Sequence, residues 1–326
     1  MLHISSCIEQ LHLSANQLHQ DNAAYRRFSL ILTDNIVELM AYRRCRQEFI
    51  HDEKPWGAAV YSADERKKVL GNDFGAKINF LVKIGLLSSD DQTYINQCHS
   101  YRNESYHVGI VHDDILHAVA WHYHKTACDL FVRLRLSVIA GNIHTIESET
   151  VRRHTSGIKM FPFFEDDFVA IAQSLSRERP EPEPNLQDVL SNSALRRIDH
   201  VQEAMDYLRE DNGQEEVDLV RELQYWRDFA DNHPSTDGLT DEDAAKVRDQ
   251  WKKDMDANWK PKLRTSPVTR YRKRAIALQS TVNASNALQN FETLKRDMEP
   301  FAELVLNAAQ EYSDHIQNQI DAARGK

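Results

Sequence analysis

The chain has few residues that interrupt helices. Its 326 residues include only 10 glycines and 9 prolines, and its apolar residues recur at steps of three and four, the period of an amphipathic helix. Little or no sheet is therefore expected. No apolar run approaches the roughly 18 residues of a membrane span, so we expect no membrane-spanning segment and no membrane partner.

Cysteines are scarce and isolated, and the net charge is negative. The four cysteines form no CxxC pair and follow no secretory leader, which predicts reduced thiols in a cytoplasmic protein. The formal net charge of -10 argues against a protein that coats nucleic acid without selection, although a local basic patch can still bind it. Net charge therefore leaves the partner open.

The helical pattern divides the chain into three parts, and the predicted fold class is all-α. Residues 1–142 predict a compact helical bundle. Residues 191–326 predict a second helical domain ending in a long helix or coiled-coil seam, which Pro300 should kink or split. Residues 143–190 are interpreted as a linker with an extended, solvated Pro/Glu spacer at 177–184. This linker also holds an aromatic cluster of Phe161, Phe163, Phe164 and Phe168.

The stretch from Arg102 to His107, RNESYH, carries the most informative chemistry. Arginine binds phosphate through a planar fork of donors, and histidine transfers protons near neutral pH. Ser89 to Gln92 has capping-box spacing and predicts a helix start ahead of the motif, while Gly109 predicts its end. Five residues turn an ideal helix by about 140°. The two side chains therefore share a site only if the helix ends or if two chains share the cleft.

An arginine, a polar residue directly after it and a histidine four to six residues on are the signature of HEPN domains, an all-helical family of nucleic-acid-processing modules. The first part of the chain, under half of it, resembles this family through Arg102, Asn103 and His107. Asp34 and Glu38, on an earlier helix, are similar to the polar and acidic positions that the family places near its site. Both are candidates for orienting the arginine or the histidine.

The resemblance implies a homodimer in which the motifs of two chains meet in one cleft and cleave RNA without a metal. His107 then performs acid–base catalysis, and Arg102 binds the phosphate. The adjacent 2′-OH is the nucleophile, so the expected products are a 2′,3′-cyclic phosphate and a 5′-hydroxyl end. Asn103 is expected to orient the backbone or the histidine ring. Tyr106 is expected to stack on a base or to support the site.

The family also implies a biological setting. Members of this kind commonly serve as toxins or antiviral effectors that degrade RNA, so a protein regulator or antitoxin is a candidate partner. The rival interpretation is a non-catalytic helical module that binds RNA, a nucleotide or a protein, with the C-terminal seam building an assembly.

A second candidate site is the cationic segment, residues 260–274, which has seven cations, one aromatic residue and no acid. Such a segment can grip an RNA backbone. Charge runs are also often solvated faces, here offset by the acidic stretch 237–256, and both interpretations stay open. The candidate RNA-binding residues are Lys260, Lys262, Arg264, Arg270, Arg272, Lys273 and Arg274.

Histidines 112, 117, 122 and 124 invite a metal interpretation. The first three are five residues apart rather than three or four, and no cysteine or carboxylate set completes a tetrahedral site. We therefore expect no metal and no other cofactor. A metal-dependent nuclease is disfavoured on the same ground.

Overall fold

The structure is a computed structural model that describes residues 2–52, 59–107, 113–136, 148–156 and 164–324. These residues form thirteen α-helices and one short 3-10 turn and contain no strand, which confirms the all-α prediction. The helices are α1 (Leu2–Leu18), α2 (Ala23–Asp52), α3 (Ala63–Val69), α4 (Phe74–Lys83), α5 (Ser89–His107), α6 (Asp113–Leu134), α7 (Glu149–His154), α8 (Glu165–Ser176), α9 (Leu186–Asn212), α10 (Glu216–Asp231), α11 (Asp241–Asn258), α12 (Val268–Ala277) and α13 (Ala284–Ala323).

Two compact units make up the chain. Unit 1 comprises Met1–Leu190 and Ser280–Asn290, and unit 2 comprises Ser191–Gln279 and Phe291–Lys326. The division falls within α9 and α13. The predicted linker at 143–190 contributes α7 and α8 to unit 1. Across the described ranges, no helix is both long enough and apolar enough to cross a bilayer.

Helix α2 lies at the centre of unit 1, where it packs against α1, α4, α5 and α6. Its residues Leu30, Ile36 and Met40 are fully buried, as expected for the inward stripe of an amphipathic helix. Polar contacts also join α1 to α2, because the Oγ of Ser14 donates to or accepts from the Oγ1 of Thr33 at 2.7 Å. Helix α2 thereby offers a rigid surface against which α5 is placed.

Helix α5 begins at Ser89 and is capped by the two residues around its start. The N–H of Asp91 donates to the Oγ of Ser88 at 3.0 Å, and the N–H of Ser88 donates to Oδ2 of Asp91 at 2.8 Å. This reciprocal pair is a capping box one residue ahead of the one expected at Ser89 to Gln92. The helix continues to His107, and Gly109 lies outside the described residues.

The Pro/Glu spacer is not helical, as expected, but it lies along α6. The Nε1 of Trp121 donates to the Pro180 carbonyl at 2.9 Å, and the Nε2 of His122 donates to the Pro184 carbonyl at 2.7 Å. The Arg179 guanidinium lies 4.4 Å from the centre of the Trp121 ring, in a cation–π contact. The spacer is therefore held on α6, whereas the sequence indicated a solvated segment.

The aromatic cluster of the predicted linker is divided. Phe168 is buried, and its ring centroid lies 5.3 Å from that of Phe131 on α6. Phe164 is exposed, while Phe161 and Phe163 lie outside the described residues. Of the two phenylalanines of this cluster that the structure describes, only Phe168 thus contributes to the core of unit 1.

Aromatic contacts join α10 and α11 in unit 2. The ring centroids of Phe229 and Trp251 lie 4.4 Å apart, and those of Tyr225 and Trp259 lie 5.3 Å apart. Helix α13 runs through Pro300 as one continuous 40-residue helix, so the split expected at this proline does not occur.

Candidate functional site

Polar and aromatic side chains on one side of α5 form the candidate site together with α2. Arg102 and Asn103 lie three and four residues after His99, and Tyr106 lies four and three residues after them. All four therefore lie on the same side of the helix. Asp34 on α2 faces them and contacts two of them.

Asp34 is the buried centre of this group, with only 1% of its side chain exposed. Its Oδ1 accepts from the Tyr123 hydroxyl at 2.9 Å, and its Oδ2 accepts from the Nδ1 of His99 at 2.9 Å. The Nε of Arg102 lies 3.6 Å from the same Oδ2. A buried carboxylate requires such partners, because burial removes its hydration.

Tyr123 reaches Asp34 from α6 and is fully buried. Burial, followed by the nearby Asp34 carboxylate, raises the pKa of Tyr123 well above its usual value. The hydroxyl therefore keeps its proton and donates a hydrogen bond to Asp34 over the whole physiological range.

Arg102 is held by four different residues. Its Nη1 donates to Oδ1 of Asn103 at 2.9 Å, and its Nη2 donates to Oδ1 of Asn35 at 3.4 Å. Its guanidinium carbon lies 5.4 Å from the centre of the Tyr106 ring, within the range of a cation–π contact. Together with the Asp34 ion pair, these contacts fix the direction of the guanidinium, and 25% of the Arg102 side chain stays exposed. Asn103 thus contacts the arginine of the motif.

His99 is the residue that sequence reasoning missed. Its ring stacks on Phe74, with ring centroids 4.2 Å apart and planes 15° apart, and 24% of its side chain is exposed. The motif is counted forward from the arginine, whereas His99 lies one helical turn before it. The signal was its spacing of three residues from Arg102 on a predicted helix.

The Asp34–His99 hydrogen bond has a chemical consequence. A carboxylate accepts only, so Nδ1 of His99 carries a proton, and the neutral ring keeps its lone pair on Nε2. Such a ring can accept a proton at Nε2. Beside it, the partly exposed guanidinium of Arg102 can bind an anion such as a phosphate.

His107 is the last residue of α5, and the structure describes its backbone but not its side chain. Because α5 is helical from Arg102 through His107, the two residues are related by about 140° around the helix axis. Tyr106 is 60% exposed, and its backbone carbonyl accepts from the Nη2 of Arg27 at 3.5 Å.

Glu38 lies one turn beyond Asp34 on α2 and is paired with a different cation. One of its oxygens lies 3.5 Å from the Nζ of Lys77. Lys77 is buried and also donates to the backbone carbonyls of Gly71 and Asp73 at 2.8 and 3.2 Å. Glu38 thus pairs with a lysine of α4, whereas Asp34 pairs with Arg102, the arginine of the motif.

The cationic segment, residues 260–274, belongs to unit 2 and leads into α12. Carboxylates of other elements, rather than the acidic stretch 237–256, hold several of its cations: Lys262 with Asp228 at 3.7 Å, Arg272 with Asp199 at 2.6 Å and Arg274 with Asp297 at 2.8 Å. Its exposed cations are Lys260, Lys262, Arg264, Arg270 and Lys273.

The histidines considered for a metal have separate surroundings. The Nε2 of His122 donates to the spacer, and the Nε2 of His124 donates to the Leu11 carbonyl at 2.9 Å. Burial lowers the pKa of His117 and of His122, and it lowers that of His124 to about 4. His112 lies outside the described residues.

No protein-family model, curated protein or solved structure matches this chain.

Proposed function

We propose that this protein is a metal-independent endoribonuclease whose site is built around Arg102. One observation supports this above all. The guanidinium of Arg102 and the imidazole of His99 share the buried carboxylate of Asp34, at 3.6 and 2.9 Å. A phosphate-binding cation and a proton-transferring ring are thereby held side by side. The resemblance of Arg102, Asn103 and His107 to the HEPN signature supports the same reaction.

The reaction needs no cofactor. The 2′-oxygen of the ribose attacks the adjacent phosphorus, and its proton passes to an imidazole. The bond from phosphorus to the 5′-oxygen breaks, and an acid returns a proton to that oxygen. The products are a 2′,3′-cyclic phosphate and a 5′-hydroxyl end. Arg102 stabilises the additional negative charge on the phosphoryl oxygens.

Two histidines are available for the proton transfers. The motif assigns His107 to acid–base catalysis, and the contact with Asp34 adds His99 as a base. Since α5 is helical through His107, the positions of Arg102 and His107 in one chain are about 140° apart around the helix axis. A homodimer, in which a second copy supplies His107 to the cleft of the first, removes this conflict and is part of the proposal.

The biological part of the proposal is based on the resemblance. It describes a cytoplasmic toxin or antiviral effector that degrades RNA under the control of a protein regulator or antitoxin. The cysteines are free and buried, which agrees with a reducing compartment. The exposed cations of residues 260–274 are proposed to bind the RNA backbone.

A non-catalytic RNA-binding module is the second candidate, and one observation favours it. Arg102 already has partners in Asp34, Asn35, Asn103 and Tyr106, as a residue with a purely structural function does. Binding of RNA without cleavage would identify this alternative.

The decisive experiment measures RNA cleavage by the purified full-length protein in EDTA, with analysis of the product ends. The wild type should leave cyclic phosphates, and Arg102→Ala should reduce the rate by at least about 100-fold, as expected for loss of an oxyanion-stabilising donor. Arg46→Ala is the matched control, because Arg46 is an exposed residue of α2 and should leave the rate unchanged. Equal rates in wild type and Arg102→Ala would refute the proposed site.

A second pair of variants separates the two histidines. His99→Asn retains an N–H donor for Asp34 but cannot accept a proton near pH 7, so it should lose cleavage while keeping the melting temperature. His107→Ala should also lose cleavage. Mixing it with Arg102→Ala should restore part of the rate if two chains share the cleft. Full activity in both single variants would show that neither histidine transfers the proton.

A further inference from the structure

Two imidazoles and a carboxylate converge elsewhere in unit 1. His12 lies on α1, and His154 is the last residue of α7. The Nδ1 of His12 lies 3.3 Å from the Nε2 of His154. Glu178, two residues after α8, places Oε2 at 3.9 Å from the Nδ1 of His12. One donor atom of each residue lies within 4.8 Å of the other two. Three residues that are distant in sequence thus present metal-binding atoms to one point.

The distances suit a small divalent ion. A tetrahedral zinc centre with bonds of about 2.0 to 2.1 Å separates neighbouring donor atoms by about 3.4 Å. The pair formed by His12 and His154 already has this separation. The carboxylate of Glu178 is about half an ångström too far from His12, and all three donor atoms lie within 4.8 Å of one another. Glu178 is partly exposed, so its side chain can move closer to the two rings.

The ring nitrogens on the other side of both imidazoles have hydrogen-bond partners. The amide of Asn16 lies 2.9 Å from Nε2 of His12, and the Oγ of Ser174 lies 2.8 Å from Nδ1 of His154. The Nδ2 of Asn16 donates to Nε2 of His12, and the Ser174 hydroxyl shares a hydrogen bond with Nδ1 of His154. A partner outside the cluster therefore orients each ring, as in metal sites whose histidines are oriented by an outer shell.

A cation already contacts the same atoms. The Nη2 of Arg153 lies 3.0 Å from Nδ1 and 3.1 Å from Nε2 of His12, and the guanidinium lies 3.3 Å from Glu178. The cluster therefore already attracts positive charge. The side chain of Arg153 is 53% exposed, so it can turn outward without leaving a buried cavity.

From these contacts we propose that His12, His154 and Glu178 bind one divalent transition-metal ion. The ligand types and their separations match zinc best. The ion links α1, α7 and the residue that follows α8, with a water completing the fourth position. None of the three ligands belongs to the Arg102 site, and the ion stabilises the fold without taking part in RNA cleavage. Arg153 competes with the ion for His12 and Glu178.

Zinc titration of the metal-free full-length protein by calorimetry tests the site. The wild type should bind one Zn²⁺ per chain, and its melting temperature should rise with the ion because only the folded chain presents the ligands. His12→Gln and Glu178→Gln should each weaken binding by at least the roughly 10- to 100-fold that loss of an outer-shell partner costs. Glu178→Gln keeps the size of a partly exposed residue, so a folding defect cannot explain its result.

Matched controls come from exposed residues of α2 and α7. His51→Ala removes an exposed histidine of α2, and Arg152→Ala removes an exposed cation of α7. Both should bind zinc as the wild type does. Arg153→Ala should bind it more tightly, because a competing positive charge is lost. Unchanged zinc binding in both His12→Gln and Glu178→Gln, or weaker binding in Arg153→Ala, would overturn the proposal.

The metal site and the ribonuclease can fail separately. His12→Gln and Glu178→Gln should cleave RNA in EDTA at the rate of the wild type, if the wild type cleaves. Zinc binding without any RNA cleavage would support the metal site and refute the proposed ribonuclease activity. RNA cleavage without zinc binding would support the ribonuclease activity and refute the metal site.

Discussion

The Asp34 group in unit 1 and the cationic segment in unit 2 both place arginines beside carboxylates, but they differ in burial. The Asp34 side chain is 1% exposed and contacts both His99 and Arg102. Asp199, which pairs with Arg272, is 50% exposed. A buried carboxylate cannot exchange its partners for water, so it fixes them in place, whereas an exposed one competes with solvent and salt.

The difference indicates which region is suited to chemistry. Catalytic groups must be held to within a fraction of an ångström, and buried partners provide this. RNA backbones vary in shape, and mobile exposed cations adapt to them.

Removal of the buried carboxylate should have the largest effect. Asp34→Ala leaves the buried Tyr123 hydroxyl without its acceptor and His99 and Arg102 without their shared partner, so unfolding free energy should fall by about 3 kcal/mol. Urea denaturation measures it. Asp249→Ala, at an exposed position of α11, is the control and should change stability by less than about 0.5 kcal/mol. An equally small change in Asp34→Ala would mean that burial does not distinguish the two regions.

Acid should destabilise unit 1 through His124. Its pKa is about 4 in the folded protein and about 6.5 when unfolded, so the unfolded chain binds more protons between these values. The stabilisation is complete above about pH 6.5 and is lost as pH falls towards 4, by about 3 kcal/mol.

His124→Gln tests this pH dependence, because glutamine can still donate to the Leu11 carbonyl and does not titrate. Denaturation at about pH 7 and at about pH 4 should show a loss of stability smaller by about 3 kcal/mol in the variant. The same loss in both proteins would mean that other groups cause the acid sensitivity.

Arg102→Lys should separate charge from geometry. Lysine keeps the positive charge but lacks the planar fork that Asn103 and Asn35 now orient. Cleavage should fall by about 100-fold, or about 2.7 kcal/mol of activation free energy, while stability changes by less than about 1 kcal/mol. Single-turnover rates and thermal melts measure the two quantities. A rate near that of the wild type would show that charge alone suffices.

The smallest effects belong to the cationic segment. Lys273→Ala removes an exposed cation and should lower the slope of log affinity for RNA against log salt by about one. Arg272→Ala also loses the exposed pair with Asp199, which contributes at most about 0.5 kcal/mol to stability. Filter binding over a salt series measures the slope. Slopes identical to that of the wild type in both variants would leave this segment as a solvated face.

Much of the architecture followed from the helical period of the sequence. The all-α class and the helix that carries Arg102 were predicted from it, because amphipathic spacing and capping are local properties. Of the kink or split expected at Pro300, the split does not occur, since α13 continues through this residue. The Pro/Glu spacer lies on α6 because Trp121 and His122 donate to its carbonyls. These donors are distant in sequence, so no local pattern in the spacer predicts the hydrogen bonds.

The candidate site was only partly predictable. Arg102 and Asp34 were singled out from the motif and the resemblance, but their ion pair joins residues 68 positions apart. His99 escaped because its importance comes from Asp34 and Phe74 rather than from the motif. His12, His154 and Glu178 escaped because a metal site built from three elements has no spacing to recognise.

The sequence by itself determined where helices form and which residue types α5 carries, because propensity, period and capping act over a few neighbouring residues. Only the tertiary structure decided which charges are buried and which side chains share a partner. Those properties depend on the packing of α2, α5 and α6 around Asp34 and of α1 and α7 around His12, which removes water and brings distant residues into contact.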